Sequence, residues 1–272
     1  RARVVLPAGA EVAEWHAGGR LDAAAVAGSA AVVHLAGAGI ADARWSKQRK
    51  LEILRSRTEP LRALLRAAQE LPPSERPSVL VSASAVGVYG DRGDELLDET
   101  SEPGRGFLAE VCRQWEAAAL EGGAAGLRVV ILRFGLVLDP SGGALGRLLP
   151  VFRLGLGGRL GSGRQWLSWI HVGDLAAMIR WALETADLCG VVNAVAPEPV
   201  RNADFTRVLA AAVGRPAFLH VPRWVLKLVL GELATALLAS QRVRPAVAER
   251  LGFKFAYPRL DRALEDLLGR PG

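Results

Sequence analysis

Four short apolar runs punctuate the chain: AAVVHLAG at 30–37, SVLVSASA at 78–85, RVVILRFGLVL at 128–138 and GVVNAVA at 190–196. Each is rich in β-branched residues, is bounded by small or turn-forming residues, and does not alternate strictly between apolar and polar. That pattern predicts parallel strands covered on both faces. Segments with helical period separate them. Ser46 is placed to cap SKQRKLEILRSR, and PLRALLRAAQEL follows, with Pro60 restarting or kinking the helix. FLAEVCRQWEAAALE and DLAAMIRWALETA supply two more helices. Strand alternating with helix predicts an open α/β sheet with right-handed crossovers.

From Pro197 the pattern changes. NADFTRVLAAAVG, WVLKLVLGELATALLAS and LDRALEDLLG read as helices, and RPAFLHVP reads as extended. The expected division is a sheet domain from 1–147 and 171–196, and a smaller, mainly helical domain from 148–170 and 197–272.

Composition narrows the function classes. Of 272 residues, 50% are hydrophobic and 23% charged, enough to build a globular core. The net charge of +6 invites nucleic acid as a partner. The basic residues are scattered among acids, as in DARWSKQRKLEILRSRTE, with no interleaved aromatics, so no nucleic-acid partner is expected. No apolar run reaches the roughly 18 residues of a membrane span. Cys112 and Cys189 lie far apart without a CxxC and read as free thiols of a reducing, cytoplasmic compartment. His16, His34 and His220 are isolated, and no spacing suggests a metal site.

Candidate chemistry clusters at strand ends. LGLGGRLGSG (154–163) fails as a phosphate cradle: its glycines miss the G-x-G-x-x-G spacing, and extended WLSWIHV follows where a helix N-terminus is needed. It reads as a flexible lip over a substrate pocket. In HLAGAG (34–39), Gly37 and Gly39 either form a turn or let a ligand approach the backbone. Ala36-Gly37, Ser82 to Ser84, and Arg133 to Gly135 all fall at carboxyl ends of strands, where open α/β sheets bind ligands. In WIHVGDLA, Asp174 reads as a helix N-cap and His171 as a link between strand and loop, rather than as a catalytic pair.

Taken in order, VVHLAG, VLVSASAVGVYG, VVILRFGLVLDPSGGAL, WLSWIHVGDLA and VVNAVAPEPVRNADFTRVLAAAVGRP resemble the extended short-chain dehydrogenases of the nucleotide-sugar epimerase type. The ending LGELATALLASQRVRPAVAERLGFKFAYPRLDRALEDLL resembles the atypical epimerase-like branch that carries a C-terminal domain of unknown function. The resemblance implies a Rossmann-like doubly wound parallel sheet that binds NADP, or NAD, beside a smaller substrate domain. By position, Leu35, Ala36 and Gly37 would line the adenine and pyrophosphate side, Ser82 would sit beside the nicotinamide, and Gly135, Leu136 and Val137 would run along its carboxamide. Arg133 joins this cofactor set. Arg57 stands where many relatives place a cofactor-facing asparagine; the alternative is a solvated helix arginine.

Two departures from the family pattern stand out. Relatives begin with a strand and a G-x-x-G-x-x-G turn, so about 30 residues or more, roughly one βαβ unit, are expected before residue 1. Arg1 and Arg3 then fall near the end of a second strand, where a basic side chain pairs with a 2′-phosphate and favours NADP. The second departure concerns the acid–base pair. The helix that carries Tyr-x-x-x-Lys in typical members offers Phe107 and Val111, or Leu108 and Cys112. Substitute proton donors would come from Ser82, Ser84 and Tyr89, with Tyr89 alternatively a loop aromatic closing the pocket. The function implied is hydride transfer on a small or sugar-nucleotide substrate by an oxidoreductase or epimerase-like enzyme. The alternative is a non-catalytic NADP(H)-binding regulatory or redox-sensing protein. Fold analogy offers the FLAEVCRQWE helix as a homodimer face.

Overall fold

A computed structural model describes Ala10, Val12, Ala13 and residues 19–269. Its central sheet has four parallel strands, β1 (Ala31–His34), β2 (Val79–Ala85), β3 (Arg128–Phe134) and β4 (Gly190–Ala194), in the order β1-β2-β3-β4. Side chains of successive strand residues point to opposite faces. Leu80, Val129 and Ile131 therefore pack with Leu61, Leu65, Trp115 and Ala119 of α1 (Lys47–Glu70) and α2 (Phe107–Ala124). Val81, Val130, Leu132 and Val192 meet Met178 and Ala182 of α4 (Val172–Glu184) on the other side. Both faces are covered, which is why the strands show continuous apolar runs. This is the expected Rossmann-like α/β sheet.

Three local expectations change. Ser46 does cap α1, its Oγ accepting from the Arg49 amide at 3.1 Å, but the helix runs unbroken through Pro60. Ile53 before the proline and Leu61 and Leu65 after it are all buried, so packing on both sides carries the helix across the lost hydrogen bond without a restart. The run 128–138 is two strands. At Gly135 the chain leaves the central sheet, and Leu136–Leu138 pairs in parallel with Trp169–His171. A Cβ on Gly135 would stand 2.6 Å from the Ser168 carbonyl oxygen, so only glycine allows this close crossing. The glycine-rich 154–163 segment is no free lip. Gly158–Leu160 pairs in parallel with Leu219–Val221, and a Cβ on Gly158 would lie 2.3 Å from the Leu219 oxygen.

A second core forms around Trp169, with Leu145, Leu149 and Phe152 of α3 (Gly143–Arg153), Phe205 and Leu209 of α5 (Asn202–Ala212), and Leu264 of α7 (Leu260–Leu268). A further helix, α6, spans Arg223–Leu230. His171, not Asp174, caps α4: its Nδ1 accepts from the Gly173 amide at 2.9 Å. Asp174 sits in the first turn and accepts from the Ala256 and Tyr257 amides at 2.8 and 3.0 Å. With Tyr257 stacked on His171, the pair fastens the C-terminal segment to the sheet. No helix of the described residues is long and apolar enough to cross a membrane.

Candidate functional site

The parallel register places His34 beside Ser82 and Ser84 beside Arg133, so the tips of β1, β2 and β3 share one end of the sheet. Leu35, Ala36 and Gly37 leave β1 exposed at this end. Gly37 lies against α1, where a Cβ would come within 3.0 Å of the Arg57 guanidinium carbon. Arg57 in turn lies over the Trp115 ring, 5.2 Å from its centroid, and donates to the Ile53 carbonyl at 2.8 Å. No carboxylate pairs with it among the described residues, and burial lowers its pKa. His34 packs edge-on against the same Trp115 ring, centroids 6.2 Å apart.

His34 is buried, and both its ring nitrogens lack hydrogen-bond partners, as does Trp115 Nε1. A polar group buried without a partner carries a desolvation cost unless something binds it. An unpaired guanidinium and three unmet polar atoms beside an exposed glycine turn are suited to an anionic, hydrogen-bonding ligand. Burial, and then the Arg57 charge, lower the His34 pKa to about 4. The unfolded chain, at about 6.5, therefore binds the proton more readily. His34 adds no pH-dependent cost above about pH 6.5, and that cost grows as pH falls toward 4, to about 3 kcal/mol. The unfolding midpoint of a His34→Leu variant should accordingly fall less steeply with acid over that window than the parent's. Parallel pH curves would refute the assignment.

Two of the expected catalytic residues, Ser84 and Tyr89, belong to a buried network. Arg133 donates through Nε and Nη2 to the two carboxylate oxygens of Glu116, each at 2.8 Å. Ser84 donates to Glu116 Oε1 at 2.6 Å. Arg133 Nη1 also reaches the Tyr89 hydroxyl at 2.9 Å, and that hydroxyl lies 2.8 Å from Asn193 Oδ1 and 2.9 Å from the Asp98 carbonyl. Asn193 continues to the Arg244 carbonyl at 3.0 Å. Burial alone would favour neutral Arg133, but its bonds to Glu116 and Tyr89 outweigh it and raise the pKa. Burial raises the Tyr89 pKa against the opposing Arg133 charge. Tyr89 is thus enclosed and fully engaged rather than facing a crevice. Ser82 is also buried, its hydroxyl directed at the Ala83 carbonyl at 3.2 Å. Gly135, Leu136 and Val137 are partly buried at the crossing to the second strand pair. Arg1 and Arg3 lie outside the described residues.

The structure chooses between the two helix registers. A Cβ on Gly87 would meet Leu108 at 3.5 Å and Cys112 Sγ at 3.8 Å, so these two face the turn after β2. Phe107 instead packs against Trp45, centroids 4.9 Å apart. Burial, and then Glu116, push the Cys112 thiol up to about 11, so at neutral pH it stays protonated and supplies no positive charge. Sequence reading passed over Glu116, Asn193 and Trp115. Glu116 did leave a signal: one turn after Cys112 and one before Ala119, it puts a carboxylate on the apolar face of α2, which calls for a buried partner.

Comparison with known proteins agrees with this architecture. Residues 11–194 match the model of the NAD dependent epimerase/dehydratase family, and residues 221–267 match a domain of unknown function, DUF1731. The chain is 44% identical to the chloroplastic epimerase family protein SDR39U1 homolog of Arabidopsis thaliana over 243 residues, 89% of this chain and 70% of that protein. It is 40% identical to an epimerase family protein of Mycobacterium bovis over 268 residues, 98% of this chain and 88% of the relative. Among solved structures, human epimerase family protein SDR39U1 (isoform 2) with NADPH superposes with a TM-score of 0.83 at 36% identity, covering 92% of this chain and 86% of that one. A nucleoside-diphosphate sugar epimerase from Corynebacterium glutamicum gives 0.73 at 38% identity, with 91% of this chain matching 48% of that one.

Proposed function

The chain belongs to the NAD dependent epimerase/dehydratase family, and on that premise we propose that it binds NADP(H) at the carboxyl ends of β1 and β2 and acts as an oxidoreductase or epimerase-like enzyme on a small or sugar-nucleotide substrate. The observation that carries this reading is the unpaired Arg57 guanidinium beside the exposed Leu35–Gly37 turn, above the unmet nitrogens of His34 and Trp115. The human relative crystallised with NADPH supports NADP(H) over NAD. These residues fit a dinucleotide: Arg57 would hold a phosphate, the turn would admit the adenosine side without Cβ obstruction at Gly37, and the partly buried Gly135–Val137 would border the nicotinamide side. Such a cofactor supplies or accepts a hydride at a substrate carbon.

Ser84 is buried, with its proton committed to Glu116, so in this reading it acts as a positioning residue behind the nicotinamide side and does not touch the substrate. Arg133 and Tyr89 position this pair from behind. Leu108 and Cys112 cannot replace the usual tyrosine and lysine, and this favours one further reading, an NADP(H)-binding regulator without turnover. Titration of the chain with NADPH and NADH, followed by tryptophan fluorescence, tests the shared premise. A panel of carbonyl substrates, followed by loss of reduced-nicotinamide absorbance, then separates enzyme from regulator. Tight NADPH binding with no turnover selects the regulator, and indifference to both nucleotides ends both readings.

A further inference from the structure

Two stretches that the cofactor site does not use, 150–164 and 214–231, contain no aspartate or glutamate. They lie side by side, because Gly158–Leu160 and Leu219–Val221 pair in parallel, with Arg159 opposite His220. Helix α6 begins two residues beyond that ribbon. Arg153, Arg159, Arg215, Arg223 and Lys227 are exposed there, and none of their side chains makes an ion pair or hydrogen bond among the described residues. Between them stand Leu154, Leu156, Phe218, Trp224, Leu228 and Val229, all exposed, with Phe218 at 87%, Leu154 at 74% and Leu228 at 70% of full accessibility.

Helix α6 organises this face. Leu226 is its buried residue. Trp224 and Leu228 form one outward i,i+4 stripe, and Arg223 and Lys227 form the stripe next to it. Its far end is held in place: Arg44 donates to the Leu228 carbonyl at 3.3 Å, and Lys50 pairs with Glu232. The apolar residues are thus displayed on a fixed element beside the loop between β1 and α1.

We propose that this face docks on an anionic lipid bilayer, with Trp224, Leu228 and Phe218 entering the interface and the unpaired arginines and lysine meeting phosphate headgroups. An amphipathic helix with tryptophan and leucine outward and basic residues alongside has the chemistry of shallow interfacial binding. Other occupants fit less well. A second copy in a two-fold contact would set these unpaired basic side chains against themselves. Single-stranded nucleic acid gains from aromatic stacking, whereas most of the apolar side chains here are aliphatic. The contact is with a surface, distinct from a span.

The test is co-sedimentation of the chain with vesicles of phosphatidylcholine alone or with about a third phosphatidylglycerol, at low and at raised salt. Binding is expected on the anionic vesicles only, falling with salt. The pair Trp224→Ser and Leu228→Ser should lower partitioning at least about tenfold, and Arg223→Glu with Lys227→Glu should abolish the preference for anionic lipid. Circular dichroism melting of both variants, matching the parent, secures that the fold is intact. Failure to pellet with either vesicle, or equal pelleting with both, overturns the proposal. So does a parent dimer that the serine pair dissociates without any lipid binding, which assigns the face to self-association.

Discussion

Replacing Glu116 by alanine should lower the free energy of unfolding by about 3–5 kcal/mol, because a buried guanidinium would then lose both oxygens of its carboxylate partner. The Arg133 and Glu116 side chains are only 7% and 11% exposed, and the contact is bidentate at 2.8 Å. The loss also strands the Ser84 hydroxyl. Two companions sharpen the result. Glu116→Gln keeps one acceptor and a similar volume, so it should cost clearly less. Glu116→Leu combined with Arg133→Met removes both charges and should recover much of the loss, since desolvating an ion pair offsets most of its attraction. Denaturant midpoints at constant slope measure all three. A Glu116→Ala variant within about 1 kcal/mol of the parent would show that the pair is solvated.

The second large effect concerns Arg57. Arg57→Ala should weaken NADPH binding by about 10- to 100-fold, the worth of one charge-assisted hydrogen bond at 1.5–3 kcal/mol. It should leave thermal stability nearly unchanged, because the guanidinium pairs with no carboxylate and makes its well-placed bond to the Ile53 carbonyl of its own helix. That split between affinity and stability distinguishes a ligand-binding arginine from a structural one. Arg57→Lys should recover part of the affinity, as a point charge keeps attraction but loses the planar fork and its stacking on Trp115. Affinity within twofold of the parent, at matched salt, would return Arg57 to the role of a helix arginine packed on Trp115.

What the chain alone determined was the sheet. The β-branched runs at 31–34, 79–85, 128–134 and 190–194 became its four strands, because covering both faces of a parallel sheet demands apolar residues at successive positions. The Ser46 cap was readable for a similar reason, since it depends on atoms three residues apart. Only tertiary contacts decided the rest. Pro60 stayed inside a helix because Leu61 and Leu65 beside it pack against the sheet strand of Leu80 and the helix of Trp115 and Ala119. Asp174 gave up its cap to hold the backbone 82 and 83 residues on. Tyr89, an attractive proton donor by sequence, was taken inside by Arg133 and Asn193, 44 and 104 residues away. Local pattern reports what a residue prefers among its near neighbours along the chain. Which buried charge meets which hydroxyl depends on distances that exist only after the layers have packed.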